Sequence, residues 1–149
     1  MAEPNGREPL LAVHGLEVDY GPITAVRGVS LEVHPGEIIA LLGANGAGKT
    51  STLRGITGLI RPRAGRITFA GRRIDGAAPN RIVALGMAHV PEGRRVFPGL
   101  NVLDNLMLGA WGAPPRAGAA RRQLVFDLFP RLAERRSQAA GSLSGGEQQ

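Results

Sequence analysis

Gly43-Ala44-Asn45-Gly46-Ala47-Gly48-Lys49-Thr50 fits the pattern G-x-x-x-x-G-K-[ST], and it stands between the apolar run at 38–42 and a predicted helix from Lys49 to about Thr57. A short apolar run stopped by glycine predicts a strand covered on both faces, as in the parallel sheet of an α/β fold. The glycines let the backbone curl so that successive N–H groups converge on an anion, where the positive end of the following helix adds to them. Lys49 would reach the outer phosphates of a nucleotide, and the Thr50 hydroxyl would ligate Mg²⁺. The candidate phosphate-binding set is Gly43, Asn45, Gly46, Ala47, Gly48, Lys49, Thr50 and Ser51. The competing reading is a glycine-rich turn in a glycine-rich chain. With 22 glycines and 10 serines plus threonines in 149 residues, chance gives one lysine both glycines and a hydroxyl neighbour about 1.5 times in a thousand. Lys49 is also the only lysine among 18 basic residues.

Upstream, Leu11, Val13, Leu16, Val18 and Tyr20 alternate with breaks, and Val29, Leu31 and Val33 alternate cleanly, so both stretches predict half-buried strands. Downstream, 67–69 and 73–74 flank Ala70-Gly71 as a hairpin, 81–85 is expected as helix and 87–90 as strand. Asn101 suits the cap of a helix running to about Leu108. Leu124, Val125, Leu128, Phe129 and Leu132 fall at helical spacing, while GAPPRAG at 112–118 is expected as a loop.

The length fits one globular domain, and 43% hydrophobic residues against 20% charged place the chain among folded proteins. Absence of cysteine excludes a disulfide framework. Residues 1–9 carry no apolar signal region, and the run at 38–42 is too short to cross a bilayer. Net charge is +6, but the arginines are scattered, at most in pairs, with only 4% aromatics. That pattern predicts a solvated surface and no nucleic-acid partner.

A second motif, Leu143-Ser144-Gly145-Gly146-Glu147-Gln148-Gln149, lies about 95 residues beyond Lys49. Ser144 followed by two glycines is a helix start that bares N–H groups and a hydroxyl to an anion, although Ser-x-x-Glu is equally an ordinary capping box. Beside the phosphate loop, it resembles the LSGGQ signature of the ABC ATPase family. Two further positions are similar to that family. Tyr20 matches the aromatic on which adenine stacks, its alternative being a core tyrosine. Glu92 stands where most members carry the Q-loop glutamine. The segment 91–100, PEGRRVFPGL, resembles ATPase subunits of branched-chain amino acid importers.

The resemblance implies a P-loop NTPase of the ABC ATPase type, an α/β fold with N-terminal antiparallel strands and a partial parallel core sheet with helices. Residues 1–149 would be a partial nucleotide-binding domain with Walker A at 43–50, the Q-loop region at 91–100 and the signature at 143–149, its C-terminal part missing. It implies ATP and Mg²⁺ as cofactors, with Thr50 and Glu92 as metal ligands, Glu92 as catalytic, and Tyr20, Ser144, Gly145 and Gly146 binding nucleotide. Implied partners are membrane-spanning permease subunits, a second ATP-binding subunit paired head to tail and, indirectly, a substrate-binding protein, at the cytoplasmic face of the membrane. Such a protein needs, after the signature, an apolar strand ending in Asp-Glu and a switch histidine. Leu124-Val125-Phe126-Asp127 precedes the signature and has helical spacing, and His14, His34 and His89 also precede it. The chain as given is therefore expected to be inactive alone, with an apolar sheet edge at 38–42. A soluble ABC ATPase outside transport, or a nucleotide-binding module without turnover, are the alternative readings.

Overall fold

The computed structural model describes residues 8–149, and most of the N-terminal stretch read at 1–9 lies outside them. The chain divides into two compact units, Met1–His89 and Val90–Gln149. The first is built on a four-stranded antiparallel sheet in the order β2-β1-β3-β4, from β1 (Leu11–Tyr20), β2 (Ile23–Val33), β3 (Ala64–Phe69) and β4 (Arg72–Arg73). The broken alternation of β1 has a backbone cause. Its register slips between Val13 and Leu16 and again around Val18, with Gly15 at φ 58°. A bulge restores the inward aim of Val13, Leu16 and Val18, all fully buried. β3 and β4 meet through Ala70 (φ 49°) and Gly71 (φ 72°), the left-handed pair that suits a two-residue hairpin. Asp75 ties this hairpin together, accepting from the Ile67 N–H at 3.2 Å and pairing with Arg73 at 2.8 Å.

Helix α1 (Lys49–Ile56) lies against β1. A β-carbon on Gly55 would come within 2.9 Å of Val18 Cγ2, so glycine there lets the helix approach the sheet. Ile56 then joins Val13, Leu16, Val18, Val26, Ile67, Ile74 and Ile82 in one buried cluster. Gly58 at φ 73° closes the helix in the left-handed conformation that costs glycine least. Ile82 comes from α2 (Pro79–Ala84).

Two expectations fail here. Neither 38–42 nor 87–90 forms a strand among the described residues, and no pairing in the sheet is parallel. Ile38 and Leu42 are 96% and 90% exposed, so the apolar side chains are bare as expected, but they form neither a covered strand nor the edge of one. The physical reason is lateral: a parallel strand exists only through the ladders on its two sides, and none of the described strands lies beside 38–42.

The second unit holds α3 (Val102–Gly109), α4 (Pro115–Leu128), α5 (Pro130–Glu134), a 3₁₀ turn (Ala140–Ser142) and α6 (Gly145–Gln148). Asn101 caps α3 as expected, its side chain accepting from the Asp104 N–H at 2.8 Å. The expected loop at 112–118 is shorter than predicted, because α4 begins at Pro115. Proline is tolerated in a first helical turn, where its missing N–H would be unbonded anyway. Asn105, one turn into α3, accepts from the Phe97 N–H at 2.8 Å and donates to the Phe97 carbonyl at 3.1 Å, fixing the segment before the helix. No helix of the described residues is long and apolar enough to cross a membrane.

Leu16 reaches the middle of the core cluster from the bulged strand and also lies beside Gly55. Leu16→Ala is expected to lower stability by about 2–5 kcal/mol, read as a shift of the urea unfolding midpoint. A shift worth under about 0.5 kcal/mol, the range of surface substitutions, would mean that this cluster does not hold the first unit together.

Candidate functional site

The loop at 43–50 is shaped by glycines whose conformations other residues resist. Gly46 and Gly48 take φ 83° and 89°. At Gly48 a β-carbon would stand 2.5 Å from the Ala25 carbonyl oxygen of β2, and at Gly43 it would stand 3.0 Å from the Ala47 side chain. At Gly48 backbone therefore fills the space where a side chain would be. Residues 43–47 are exposed, and Gly48, Lys49 and Thr50 are half-buried at the start of α1.

Lys49 curls back into the loop. Its ammonium donates to the carbonyls of Gly43 and Ala44, both at 2.8 Å, so the loop encircles the cation. An ammonium bonded only to neutral carbonyls keeps its full positive charge available to an anion. Thr52, one turn on, returns its hydroxyl to the Gly48 carbonyl at 2.9 Å, pinning the first turn. Nothing blocks a polyphosphate chemically: the site offers a cation, exposed backbone and a helix start, with no carboxylate between 38 and 53. The Thr50 hydroxyl is the group on this side that could ligate Mg²⁺.

Tyr20 stands at the end of β1 and is 42% exposed, so the core reading of this tyrosine is excluded. Its hydroxyl accepts from Ser51 at 3.5 Å. Hydrogen bonds from Ser51, and after it Arg54, hold the pKa of the phenol below its usual value. The ring is thus set beside α1 with one polar anchor, an arrangement that leaves an aromatic surface at the margin of the loop. Arg54 is a neighbour that the sequence alone did not single out; its signal is only its place one turn after Thr50.

The remaining candidates belong to the second unit. Glu92 is exposed, and its carbonyl accepts from Arg95 Nε at 3.4 Å. Thr50 and Glu92, both expected as Mg²⁺ ligands, fall in different units. Ser144 is the N-cap of α6 with a complete capping box: its hydroxyl donates to Glu147 Oε2 at 2.7 Å, its N–H donates to the same oxygen at 2.9 Å, and the Glu147 N–H points back to Ser144 Oγ at 3.4 Å. Ser144 and Gly146 are exposed and Gly145 is half-buried. Glu147 also faces Arg131 at 3.7 Å and Arg135 at 3.4 Å. Its carboxyl is held below the usual carboxylate range, first by the Ser144 hydroxyl and N–H and then by the two arginines. Sequence reasoning saw the capping box but not these arginines, which arrive from α5 and its end.

Known proteins share this framework. The pattern of the ABC transporter family matches residues 26–149. The chain is 41% identical over 140 residues to the high-affinity branched-chain amino acid transport ATP-binding protein BraG of Pseudomonas aeruginosa, covering 94% of this chain and 60% of that protein. It is 36% identical over 125 residues to LivG of Escherichia coli K12, a protein of the same description, covering 84% and 45%. A solved ATP-binding subunit of an ABC transporter superposes with a TM-score of 0.80 at 32% identity, over 93% of this chain and 58% of that one. The chain thus spans about half to three-fifths of the length of these relatives.

Tyr20→Ala is expected to weaken adenine-nucleotide binding by about 1–3 kcal/mol, the worth of one stacked base, whereas Tyr20→Phe keeps the ring and most of the affinity. Isothermal titration with ATP reads both, and equal loss in the two variants would assign Tyr20's role to its hydroxyl and not to its face.

Proposed function

This chain belongs to the ABC transporter family, and from that membership we propose that it is the nucleotide-binding part of a transport ATPase subunit that takes ATP with Mg²⁺ on residues 43–50. What supports the reading most directly is Lys49, whose ammonium is held in a glycine-built loop at the start of α1 with Tyr20 at the margin. In this reading adenine stacks on Tyr20. The phosphates replace the Gly43 and Ala44 carbonyls as partners of Lys49 and accept N–H groups of Gly46, Ala47 and Gly48, with Asn45 and Ser51 at the rim. Bound Mg²⁺ would neutralise phosphate charge during phosphoryl transfer to water, and Thr50 and Glu92 are the residues proposed as its ligands. Glu92 would also orient the attacking water where most of the family uses an amide.

The signature at 143–149 would serve the nucleotide of a second ATP-binding subunit, head to tail, so that a complete site draws on two chains. Ser144, Gly145 and Gly146 then face the partner's triphosphate. Similarity to BraG and LivG over most of the chain, together with PEGRRVFPGL at 91–100, favours branched-chain amino acid uptake. Membrane-spanning permease subunits at the cytoplasmic face and a substrate-binding protein would complete that system. Because the relatives are longer, turnover is assigned to the complete subunit. Residues 1–149 supply Thr50 and Glu92 as proposed metal ligands but no strand ending in Asp-Glu beyond the signature, so the isolated polypeptide is proposed to bind nucleotide weakly and not to hydrolyse it.

Lys49→Ala in the complete subunit is expected to weaken ATP binding at least about tenfold, since a charge-assisted hydrogen bond is worth roughly 1.5–3 kcal/mol. Unchanged affinity by calorimetry would overturn the phosphate role of the loop. Phosphate release from residues 1–149, run beside the same variant, checks the second claim: Lys49-dependent turnover there would show that no later segment is needed.

Ser144→Arg separates the two halves of the proposed site. ATP binding to the monomer is expected to stay within about twofold, because Ser144 would touch only the partner's nucleotide, while ATP-driven pairing and turnover disappear. Loss of monomer binding would mean that the signature acts in its own chain.

A further inference from the structure

Gly145 is not required by its own backbone, since it lies outside the left-handed region in which glycine is favoured. A neighbour occupies the space where its side chain would stand. The three atoms closest to a β-carbon on Gly145 all belong to the Arg94 guanidinium, with Cζ at 2.8 Å and Nη1 at 3.2 Å. Arg94 itself takes φ 63°, between Gly93 at 82° and Arg95 at 44°, so the chain turns sharply to lay this one side chain on the signature. Arg95, its sequence neighbour, is turned instead to the Glu92 carbonyl.

The charge on Arg94 is not consumed there. None of the ion pairs among the described residues includes it. The carboxylate within the signature, Glu147, is already engaged: Oε2 accepts from Ser144 and, at 3.4 Å, from Arg135, and Oε1 faces Arg131 and Arg135. Arg94 remains exposed. A guanidinium without a carboxylate partner, resting on Gly145 between the exposed Ser144 and Gly146, presents planar N–H donors of the kind that bind phosphate oxygens in pairs.

We propose that Arg94 is a further phosphate-binding residue of the two-chain nucleotide site, delivered together with the signature to the triphosphate held by the partner subunit. This rests on the reading of 143–149 as a signature that acts on a partner. Glycine at 145 then leaves room for the Arg94 guanidinium where it lies, and the first arginine of PEGRRVFPGL has a task distinct from the second.

The test measures pairing of the complete subunit by analytical ultracentrifugation as a non-hydrolysable ATP analogue is titrated. Arg94→Ala is expected to raise the analogue concentration for half-maximal pairing about tenfold while leaving analogue affinity of the monomer and the thermal midpoint unchanged. Arg94→Lys, which keeps the charge but not the fork, is expected to recover part of the loss, and more of it at low salt. In a Gly145→Ala background, where the new methyl displaces the guanidinium, Arg94→Ala is expected to add little. Unaltered pairing in Arg94→Ala would overturn the proposal, as would an equal loss in Arg94→Ala and Arg94→Lys at every salt concentration, which is what a purely structural contact gives. Failure of the underlying reading looks different: Ser144→Arg would then pair as well as the unsubstituted subunit.

Discussion

A carbonyl oxygen on β2, that of Ala25, stands 2.5 Å from where Gly48 would carry a β-carbon, and most of the first unit depends on that approach. Any side chain at 48 would have to push the oxygen, and with it an interior stretch of β2, or lift the start of α1 from the sheet. Lifting α1 would also separate Gly55 from Val18 and Leu16 and withdraw Ile56 from the core cluster. The same contact sets the chemistry. Lys49 follows at once, and because the turn at Gly48 is fixed, its ammonium returns to the Gly43 and Ala44 carbonyls at equal distances. Core packing and cation placement are consequences of one steric constraint.

Local chemistry was readable in the sequence. The glycine turns of 43–50, the span of α1 and its closure at Gly58, the hairpin at Ala70-Gly71 and the Asn101 cap all rest on residues within a few positions of one another, where backbone preference decides. Lateral pairing was not readable. The apolar pattern at 38–42 states only that these side chains suit a covered strand, and the ladder that would cover them involves residues far away in the chain. β1 is the intermediate case: its broken alternation is a trace of bulges, but which residues turn inward is settled only by register with β2 and β3.

For the site, residue type announced Lys49, Thr50 and Ser144, whereas the cations that tune it were silent. Arg54 beside Tyr20, Arg94 on Gly145, and Arg131 and Arg135 at Glu147 are four of 17 arginines, and nothing in their neighbours marks them. Arginine reaches far, so its partner is chosen by the fold. Tyr20 shows the opposite relation, because its exposure decides between core and surface roles that the sequence left open.

The capping box and the signature need not be rival readings of Ser144. Its hydroxyl donates to Glu147 at 2.7 Å, but its N–H holds the same carboxylate at 2.9 Å, so one of two bonds to Glu147 can be given up while the helix start stays closed. The hydroxyl already donates to a charged oxygen, a bond worth about 1.5–3 kcal/mol, and a phosphate oxygen would offer a bond of the same class, so the exchange costs little while the N–H keeps Glu147 in place. The carboxylate so close to that phosphate would repel it if bare. Arg131 and Arg135 stand 3.7 and 3.4 Å from its Oε1, and Arg135 also donates to Oε2 at 3.4 Å, so two cations offset the charge that keeps α6 started, and Ser144 stays exposed.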